Sequence, residues 1–425
     1  MLLVVAGTHQ GLYSGTYRAS RPDVAPQAHR VSISIDGFMQ VIEGIPTQVD
    51  AANAVRLAGL FHGEPGERCA GILDMRPVPS LLQAVSSPLF GRYWGPSLMN
   101  LLAASMAAVC ALDLARLWGR PPLVGVTFAT LAVGGRGMAF YVGCPDAHAL
   151  SLAWMPIGVW ACERFRVVER DATPLGSIAV AAVLGLASLT HLANLALVAW
   201  LWLRGLGARA PWLRLLAITL AVGLILFGWR AIGAAAGLPF STFTDRSIPD
   251  GLRGMWAEVT GRVYDAFHPP PGGMGSAANT VVQSIRRLPP WGIIEPLRLS
   301  LVPAFGWGLM LLAGTGWLTV AQRRDRLLAL SLLVPSCVVA MPILYYWTAP
   351  RLLCLGWLGL AWPAALLLVT LERGCRDGLV RVGVGATHAR AAGRGLYLAL
   401  LGGLLLLENR DALGDMTVPV SLIWG

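Results

Sequence analysis

The sequence predicts an all-α polytopic membrane protein with about ten transmembrane helices, one pair of them a short hairpin, and a small hairpin and helix region on the outer face. Hydrophobic residues make up 55% of the 425 residues and charged residues 13%, and the mean hydropathy is +0.61. This composition leaves too little polar surface to cover a soluble globule of the same size. The basic side chains, all 33 of them arginine, gather in clusters between apolar stretches.

The apolar stretches divide the chain into candidate transmembrane spans. A helix of about 20 residues crosses the hydrocarbon core of a bilayer, and glycine or proline within such a helix is tolerated. The candidate spans are residues 96–115, 123–142, 147–163, 175–203, 215–236, 300–321, 327–347, 351–371 and 395–407.

The arginine clusters predict how the chain is threaded, because short loops rich in arginine stay on the cytoplasmic side of a membrane. The clusters are Arg116 and Arg120; Arg164, Arg166 and Arg170; Arg204, Arg209 and Arg214; Arg323, Arg324 and Arg326; and Arg373, Arg376, Arg381, Arg390 and Arg394. The net charge of +10 therefore reflects topology rather than nucleic-acid binding.

Residues 175–203 must cross as two passes for this threading to hold. A single pass would place the later arginine clusters outside, against the charge bias. Thr190, His191 and Asn194 lie at the centre of the segment, where polar groups suit the tip of a helical hairpin better than contact with lipid. Each arm has about 12 to 15 residues, or ~20 Å of helix, which allows the tip to stop inside the membrane.

The threading predicts four regions along the chain. Residues 1–95 form an outer region with juxtamembrane helices, residues 96–236 an N-terminal transmembrane bundle, residues 237–299 an outer loop, and residues 300–425 a C-terminal transmembrane bundle with its tail. A first transmembrane helix is expected upstream of Met1, because the opening MLLVVAG is too short to bring residues 1–95 to the outer face.

Three local patterns mark the first outer region. Apolar and polar residues alternate from Val31 to Ile42 around Asp36-Gly37, which predicts a β-hairpin that turns there. The stretch from Thr47 to Gly63 predicts a helix along the surface. The stretch from Met75 to Gly91 predicts a second interfacial helix, started by its prolines.

The order of these features resembles a known layout. A carboxylate in the first outer loop precedes a helix ending in glycine, the proline-rich stretch RPVPSLLQAVSSPLFG, a helix ending in LARLWGR, and a helix leading to FYVGCPDAHALSLAWMPIGVWACERFR. The later segments LASLTHLANLALVAWLWL and YYWTAPRLLCLGWLGLAWPAALLL fit the same layout. Over most of residues 45–372 the chain resembles the integral-membrane GT-C glycosyltransferase superfamily.

The resemblance implies that a sugar is moved from a polyprenyl-phosphate donor to an acceptor at the outer face of the bacterial inner membrane. It also implies that a first-loop aspartate deprotonates the acceptor hydroxyl, and Asp50 matches this position, with Asp36 as the weaker candidate. An aspartate is ionised at neutral pH and can act as a base. Asn53 stands near the place of an aromatic residue that the family often has. Asp50 also fits a first-turn acid that favours the helix dipole.

The leaving phosphate of such a donor gains charge and needs cationic or hydrogen-bonding groups at head-group level. Arg351 and Tyr346 lie where the resemblance expects such groups, although anchoring at the lipid interface explains both equally. His191 can hydrogen-bond the same phosphate, or it is an interhelical histidine with a partner of its own. Arg136 is a substrate-binding candidate because an arginine within an apolar run is costly.

A divalent cation is the cofactor that the resemblance allows. Asp146 and His148, in the turn Gly-Cys-Pro-Asp-Ala-His, could hold one together with Asp50, since carboxylates and imidazole are competent ligands. Asp146 is equally an ordinary helix N-cap. The seven cysteines form no CxxC pair, which argues against zinc and haem sites, and no Walker A, Rossmann or zincin motif is present.

Two other function classes stay open. The chain also fits a non-catalytic GT-C-like subunit of a membrane complex, because a fold does not fix a function, and it fits a transporter. Transporters tend to have inverted repeats and charges near the bilayer midplane, whereas the acids here gather at one face. The expected partners are a polyprenyl-phosphate lipid donor, membrane lipids and, for a subunit, other membrane proteins; nucleic acid is not expected.

Overall fold

A computed structural model describes residues 39–42, 45–48, 77–90, 94–135, 138, 147–208, 211–235, 305–346 and 356–417 of the chain. Within these ranges the protein is a bundle of helices, together with one two-stranded hairpin. The helices are α1 (Pro77–Phe90), α2 (Trp94–Leu117), α3 (Pro122–Gly134), α4 (Ala147–Arg164), α5 (Pro174–Thr190), α6 (Ala196–Ala208), α7 (Trp212–Ala235), α8 (Trp307–Thr319), α9 (Arg323–Tyr346), α10 (Trp357–Arg381) and α11 (Ala386–Thr417).

Several helices in the described ranges can cross a membrane. Four stretches are long and apolar enough by length and composition: Leu98–Leu117, Trp212–Gly233, Trp357–Arg381 and Ala386–Asn409. Shorter apolar helices accompany them at Pro122–Gly134, Pro174–Thr190 and Leu192–Leu206. The predicted all-α, multi-pass membrane fold is confirmed.

The segment predicted to cross twice is a helical hairpin. The chain leaves α5 at His191, passes through the 3₁₀ turn Leu192–Leu195 and returns in α6. At the base of the hairpin, Arg204 Nε donates to Glu163 Oε1 over 2.9 Å, and Arg214 donates to the carbonyl oxygen of Arg170 over 3.1 Å. The arginine clusters before and after the hairpin therefore lie at the same end of the bundle, which confirms the two-pass prediction.

A buried aspartate joins three helices at this end. Asp325 is 3% exposed and accepts hydrogen bonds from the Arg120 guanidinium and from the Trp362 indole N–H, the latter over 3.3 Å. Its second oxygen accepts from the backbone N–H of Gln322 over 3.2 Å, which caps the first turn of α9. Arg120 follows α2, so the turn between α2 and α3 and the start of α9 lie together. The end that holds Arg120, Arg204, Arg214 and Asp325 is called the arginine-rich end.

Helix α10 forms the centre of the bundle, and its residues from Trp357 to Val369 are almost all buried. The Trp362 ring packs edge-on against Trp118 and Phe128, with ring centroids 4.7 and 5.2 Å apart, a favourable aromatic geometry. Gly316 of α8 lies directly against the Pro363 carbonyl, where a Cβ atom would overlap it. The two helices therefore approach more closely than any other residue at this position would allow.

The last arginine cluster lies on a hairpin that extends past the other turns. From Trp362, beside Asp325, α10 runs on to Arg381, about 28 Å further at the helical rise. Helix α11 returns after residues 382–385, and Gly393 packs against the Glu372 backbone. This hairpin is largely exposed.

The outer hairpin exists, but the strands it pairs differ from the predicted ones. β1 (Met39–Ile42) pairs antiparallel with β2 (Ile45–Gln48) across residues 43 and 44, rather than with residues before Asp36-Gly37. Thr47 and Gln48 belong to β2 instead of a helix, and the rest of the stretch to Gly63 lies outside the described residues. The helix predicted from Met75 to Gly91 is present as α1 (Pro77–Phe90), and its place at the membrane interface stays a prediction.

Two predicted spans have other bounds. The span 123–142 ends at Gly134, because Gly135 takes extended backbone, with φ −73° and ψ 160°, and lies against the Trp357 ring. The span 395–407 is the middle of α11, whose 32 residues continue the helix through arginine-rich first turns and past the polar pair Glu408-Asn409.

Candidate functional site

Several helices stop at one level inside the bundle. Helices α3 and α8 have 13 residues each, or about 20 Å at the helical rise. Helices α2, α7 and α9 have 24 residues each, or about 36 Å. Both short helices reach the arginine-rich end, so their opposite ends fall short of the long helices. We call the residues at this level the floor: Gly134–Gly135, 191–194, 306–309 and Gly356–Trp357.

Helix α10 also begins at the floor. A Cβ added to Gly356 would lie 3.3 Å from Ser336 Cβ, and Ser336 lies in the middle of α9, about 20 Å from Arg323 along the helix. Gly135 at the end of α3 lies against the Trp357 ring on the other side of α10. The first turn of α10 therefore connects the end of α3 to the middle of α9.

The tip of the α5–α6 hairpin lies at the same level. Trp200 Nε1 donates to Ser331 Oγ over 3.3 Å. Trp200 lies four residues from the start of α6 towards the arginine-rich end. Ser331 lies five residues from Ser336 in the same direction. The tip and the start of α10 are thus level to within about 2 Å.

A hydrogen-bonded polar network holds the tip against α4. Trp154 Nε1 donates to Thr190 Oγ1 over 2.7 Å, and Ser151 Oγ donates to Asn194 Oδ1 over 3.2 Å. Asn194 Nδ2 donates to the Ala187 carbonyl over 2.9 Å, which satisfies an oxygen at the end of α5. Thr190, Ser151 and Asn194 are buried. These bonds explain why polar residues can lie in the middle of an apolar segment.

His191 links the two halves of the tip. Its backbone N–H donates to the Ala187 carbonyl over 3.1 Å, so it ends α5, and its Nδ1 accepts from the Ala193 N–H over 3.1 Å, so it caps the 3₁₀ turn. With Nδ1 as acceptor, the neutral ring carries its proton on Nε2.

A buried carboxylate lies at the other side of the floor. Glu408 is 5% exposed, and its Oε1 accepts from the Leu309 N–H over 3.0 Å in the first turn of α8, where a negative charge is favoured by the helix dipole. Gly306 has φ +75°, and the Glu408 carboxylate occupies the place of a side chain there. Only glycine suits this position, on both counts.

Asn409 lies beside Glu408 and is also 5% exposed. Its Nδ2 donates to the Gly134 carbonyl over 2.9 Å and to the Leu405 carbonyl over 2.8 Å. Its Oδ1 is buried without a hydrogen-bond partner. A buried acceptor left in this state costs about 1–3 kcal/mol, which makes it the least satisfied polar atom of the floor.

Most of the predicted site residues lie outside the described residues: Asp36, Asp50, Arg136, Asp146 and Arg351. Tyr346 is the last residue of α9 and His148 the second residue of α4. His191 is placed at the floor. In the chain, Arg136 comes directly after Gly135, Asp146 directly before α4, and Arg351 five residues before Gly356. Within the described ranges, no three His, Cys, Asp or Glu side chains gather as a metal site.

Sequence reasoning missed the polar residues on the far side of the floor. Glu408 and Asn409 directly follow the run Leu404 to Leu407, and the predicted helix ended with that run. The available signal was the lack of any helix breaker after Leu407. Asp325 was also missed, because it stands among Arg323, Arg324 and Arg326 in the sequence and so resembled one more exposed charge.

Comparison with known proteins gives no assignment by sequence. No protein-family model matches the chain, and no curated protein matches it.

Among solved structures, the chain is similar to a crystal structure of ArnT from Cupriavidus metallidurans bound to undecaprenyl phosphate, with 15% identity and a TM-score of 0.49, over 100% of this chain and 75% of that one. The apo state of the same protein gives 14% identity and a TM-score of 0.45, over 100% and 74%. With TM-scores below 0.5, this likeness carries no argument about activity.

Proposed function

We propose that the protein is a membrane glycosyltransferase that moves a sugar from a polyprenyl-phosphate donor to an acceptor at the face opposite the arginine-rich end. The observation that carries the proposal is the floor: helices stop inside the bundle and present His191, Glu408 and Asn409 about 20 Å from the arginine-rich end. Polar groups at this depth are costly unless they serve a function.

A lipid-linked donor suits this arrangement. Its polyprenyl chain remains in the hydrocarbon, while its phosphate and sugar need polar partners below the head-group level. His191, Arg351, Tyr346 and Arg136 are proposed as phosphate-binding groups. Asp146 and His148 are proposed as ligands of a divalent cation, if the reaction uses one.

The proposed reaction is a substitution at the anomeric carbon. Asp50, or failing it Asp36, takes the proton of the acceptor hydroxyl. The acceptor oxygen forms a bond to the anomeric carbon, and the bond from that carbon to the phosphate oxygen breaks. The polyprenyl phosphate leaves with the electron pair, and donors around it stabilise the charge that develops.

Release of polyprenyl phosphate from a polyprenyl-phosphate sugar, by the protein in lipid nanodiscs with membrane extract as the acceptor source, tests the activity. We expect Asp50→Asn to lower transfer by about 10²–10⁴-fold, the usual contribution of a general base, with thermal unfolding unchanged. Full activity of this variant would remove Asp50 from the role and move the test to Asp36→Asn.

His191 allows a sharper test, because its two roles can be separated. His191→Asn keeps a capping oxygen for the Ala193 N–H, since asparagine is a good cap, but removes the imidazole ring that is proposed to bind the phosphate. We expect affinity for polyprenyl phosphate to fall by about 10- to 100-fold, the value of a hydrogen bond to a charged group.

Thr173→Ala is the matched control. Thr173 caps the other end of α5, where its Oγ1 accepts from the Gly176 N–H over 3.1 Å. Its loss costs about 1 kcal/mol of stability and leaves lipid affinity unchanged. Equal lipid binding by wild type and His191→Asn would contradict the phosphate role. Absence of transfer from every lipid-linked sugar, with a tightly co-purifying membrane partner, would instead support the non-catalytic subunit.

A further inference from the structure

The α10–α11 hairpin projects past the arginine-rich end. The hydroxyls of Tyr397 in α11 and Thr127 in α3 share a hydrogen bond of 2.8 Å, and Gly393 and Leu123 each lie four residues from them towards that end. Gly393 is therefore level with the start of α3. Since Gly393 packs against the Glu372 backbone, the rest of α10 extends about 13 Å past this level.

Three arginines gather on one side of the hairpin, at its base. Gly393 and Glu372 are in contact across the pair. In two antiparallel right-handed helices, the residues that directly follow the contact residues turn to the same side of the pair. Arg394 follows Gly393, Arg373 follows Glu372, and Arg390 lies one turn before Arg394. The three arginines therefore share one side of the hairpin, within about 6 Å along the helix axis.

The charge of this cluster is not balanced by the described residues. All three side chains are exposed, and within the part of the chain that the structure describes none of them forms a salt bridge or hydrogen bond. Of the acids nearby, Asp377 pairs with Arg376 over 2.9 Å, and Glu372 is buried. An anion would therefore relieve the repulsion among the three guanidinium groups.

The other arginine clusters differ in this respect. In each of them at least one guanidinium bonds to another residue outside its own cluster, as far as the structure describes the chain: Arg120 to Asp325, Arg166 to Asp171, Arg204 to Glu163 and Arg326 to the Leu318 carbonyl. These bonds hold helices or turns together. At the base of the hairpin the arginines hold nothing within the described residues, which leaves them available for a ligand.

The depth of the cluster indicates the ligand. Leu396 and Leu398, on the floor side of Arg394, are exposed apolar side chains of the kind that contact hydrocarbon. The hydrocarbon therefore ends near Gly393. The head-group layer beyond it is about 5–8 Å thick, which matches the span of the three arginines along the helix axis. Lipid phosphates already fill this layer, whereas a protein partner would have to displace them.

We propose that Arg373, Arg390 and Arg394 form a binding site for the phosphate group of an anionic phospholipid in the leaflet at the arginine-rich end. Guanidinium groups form paired, charge-assisted hydrogen bonds with phosphate oxygens. A phosphate bound by residues of both helices would hold α10 and α11 together at the membrane surface. The inference does not depend on the proposed function.

The test measures lipid preference. Binding of labelled phosphatidylglycerol and of labelled phosphatidylcholine is compared for the full chain in phosphatidylcholine nanodiscs. We expect wild type to prefer phosphatidylglycerol. Each of Arg373→Gln, Arg390→Gln and Arg394→Gln should lower the preference about 5-fold, the contribution of one basic residue near an anionic membrane surface, and the triple variant should abolish it.

A second triple variant is the matched control. Arg323→Gln, Arg324→Gln and Arg381→Gln together remove the same charge from exposed positions that lie apart from the cluster. This variant should keep most of the preference. Equal losses in the two triple variants would show attraction by net charge alone and would overturn the site. Thermal unfolding checks that each variant is folded, and the single variants carry the test if the triple variant is not.

The remaining outcomes decide between ligands. Inorganic phosphate, added at constant ionic strength, should not displace labelled phosphatidylglycerol; displacement would assign the cluster to a soluble phosphate and overturn the lipid site. Equal binding of the two lipids by wild type would also overturn it. An acidic protein that co-purifies with wild type and is lost from the first triple variant, without any lipid preference, would assign the cluster to a protein partner instead.

Discussion

Polar side chains are bonded differently at the arginine-rich end and at the floor. At the arginine-rich end, Asp325 is enclosed by Arg120, Trp362 and the Gln322 N–H, and Arg204 pairs with Glu163. At the floor, polar side chains bond mainly to backbone groups, and the Asn409 acceptor bonds to nothing.

This difference separates structural polar groups from those available for a ligand. At the arginine-rich end, charged side chains bond to an opposite charge or to backbone groups of another element, and their loss disturbs helix packing. At the floor, the two hydrogen bonds of Asn409 Nδ2 set the orientation of its amide and leave Oδ1 without a partner. Substitutions at the arginine-rich end should therefore change the free energy of unfolding. Substitutions at the floor should change ligand affinity.

The largest loss of stability is expected from Asp325→Leu. This change leaves Arg120 without its carboxylate and Trp362 without its acceptor. Removal of one partner of a buried ion pair costs about 3–5 kcal/mol, and we expect the lower part of this range because the Arg120 side chain is 24% exposed. Denaturant unfolding in detergent measures it.

The matched control for this variant is Asp377→Asn, since Asp377 is 56% exposed in its pair with Arg376 and its loss should leave unfolding unchanged. Equal effects of the two changes would contradict the special role of Asp325.

A smaller loss is expected where α8 meets α10. Gly316→Ala places a methyl group against the Pro363 carbonyl, and overpacking of this kind costs about 1–3 kcal/mol. Gly314→Ala on the same helix meets no atom within 4 Å, so it should stabilise α8 by about 0.4–1 kcal/mol. Thermal unfolding of the two variants measures both effects. A change in unfolding temperature of the same sign for both would show that the close approach of α8 and α10 does not restrict the size of residue 316.

The smallest change in stability, but the sharpest contrast, is expected for two tryptophans of α4. Trp154→Phe removes the bond to Thr190 at the floor, and Trp160→Phe removes the bond to Asp113, 3.0 Å long, towards the arginine-rich end. Each should cost about 0.5–1.5 kcal/mol. Only Trp154→Phe should also weaken binding of polyprenyl phosphate, since it loosens the tip that orients His191. Equal binding of polyprenyl phosphate by both variants would contradict the proposed difference between the floor and the arginine-rich end.

Much of the helical layout could be predicted from sequence because apolar length and arginine position are local signals. The two-pass reading of residues 175–203 needed both signals, and the break at His191 confirms it. Helix ends inside the membrane were harder to predict. The end of α3 depends on the Trp357 ring, which is distant in sequence, and α11 continues past Leu407 because Glu408 and Asn409 bond to α8 and α3.

The candidate site was predictable only where a polar residue interrupts an apolar run, as at His191. Asp325 looked like a surface charge among arginines, and its burial follows from contact with Arg120 and Trp362, which no local pattern contains. The roles of His191, Asp50, Asp36, Arg136, Asp146, His148, Tyr346 and Arg351 stay predictions.

The bond between Arg120 and Asp325 also sets an order in time. The two residues are 205 positions apart, and a ribosome adds about 5–20 residues each second. Arg120 therefore emerges roughly 10–40 s before its carboxylate exists. During that interval the Arg120 guanidinium has no Asp325 to bond, so the arginine-rich end can close only after the second half of the chain has been made.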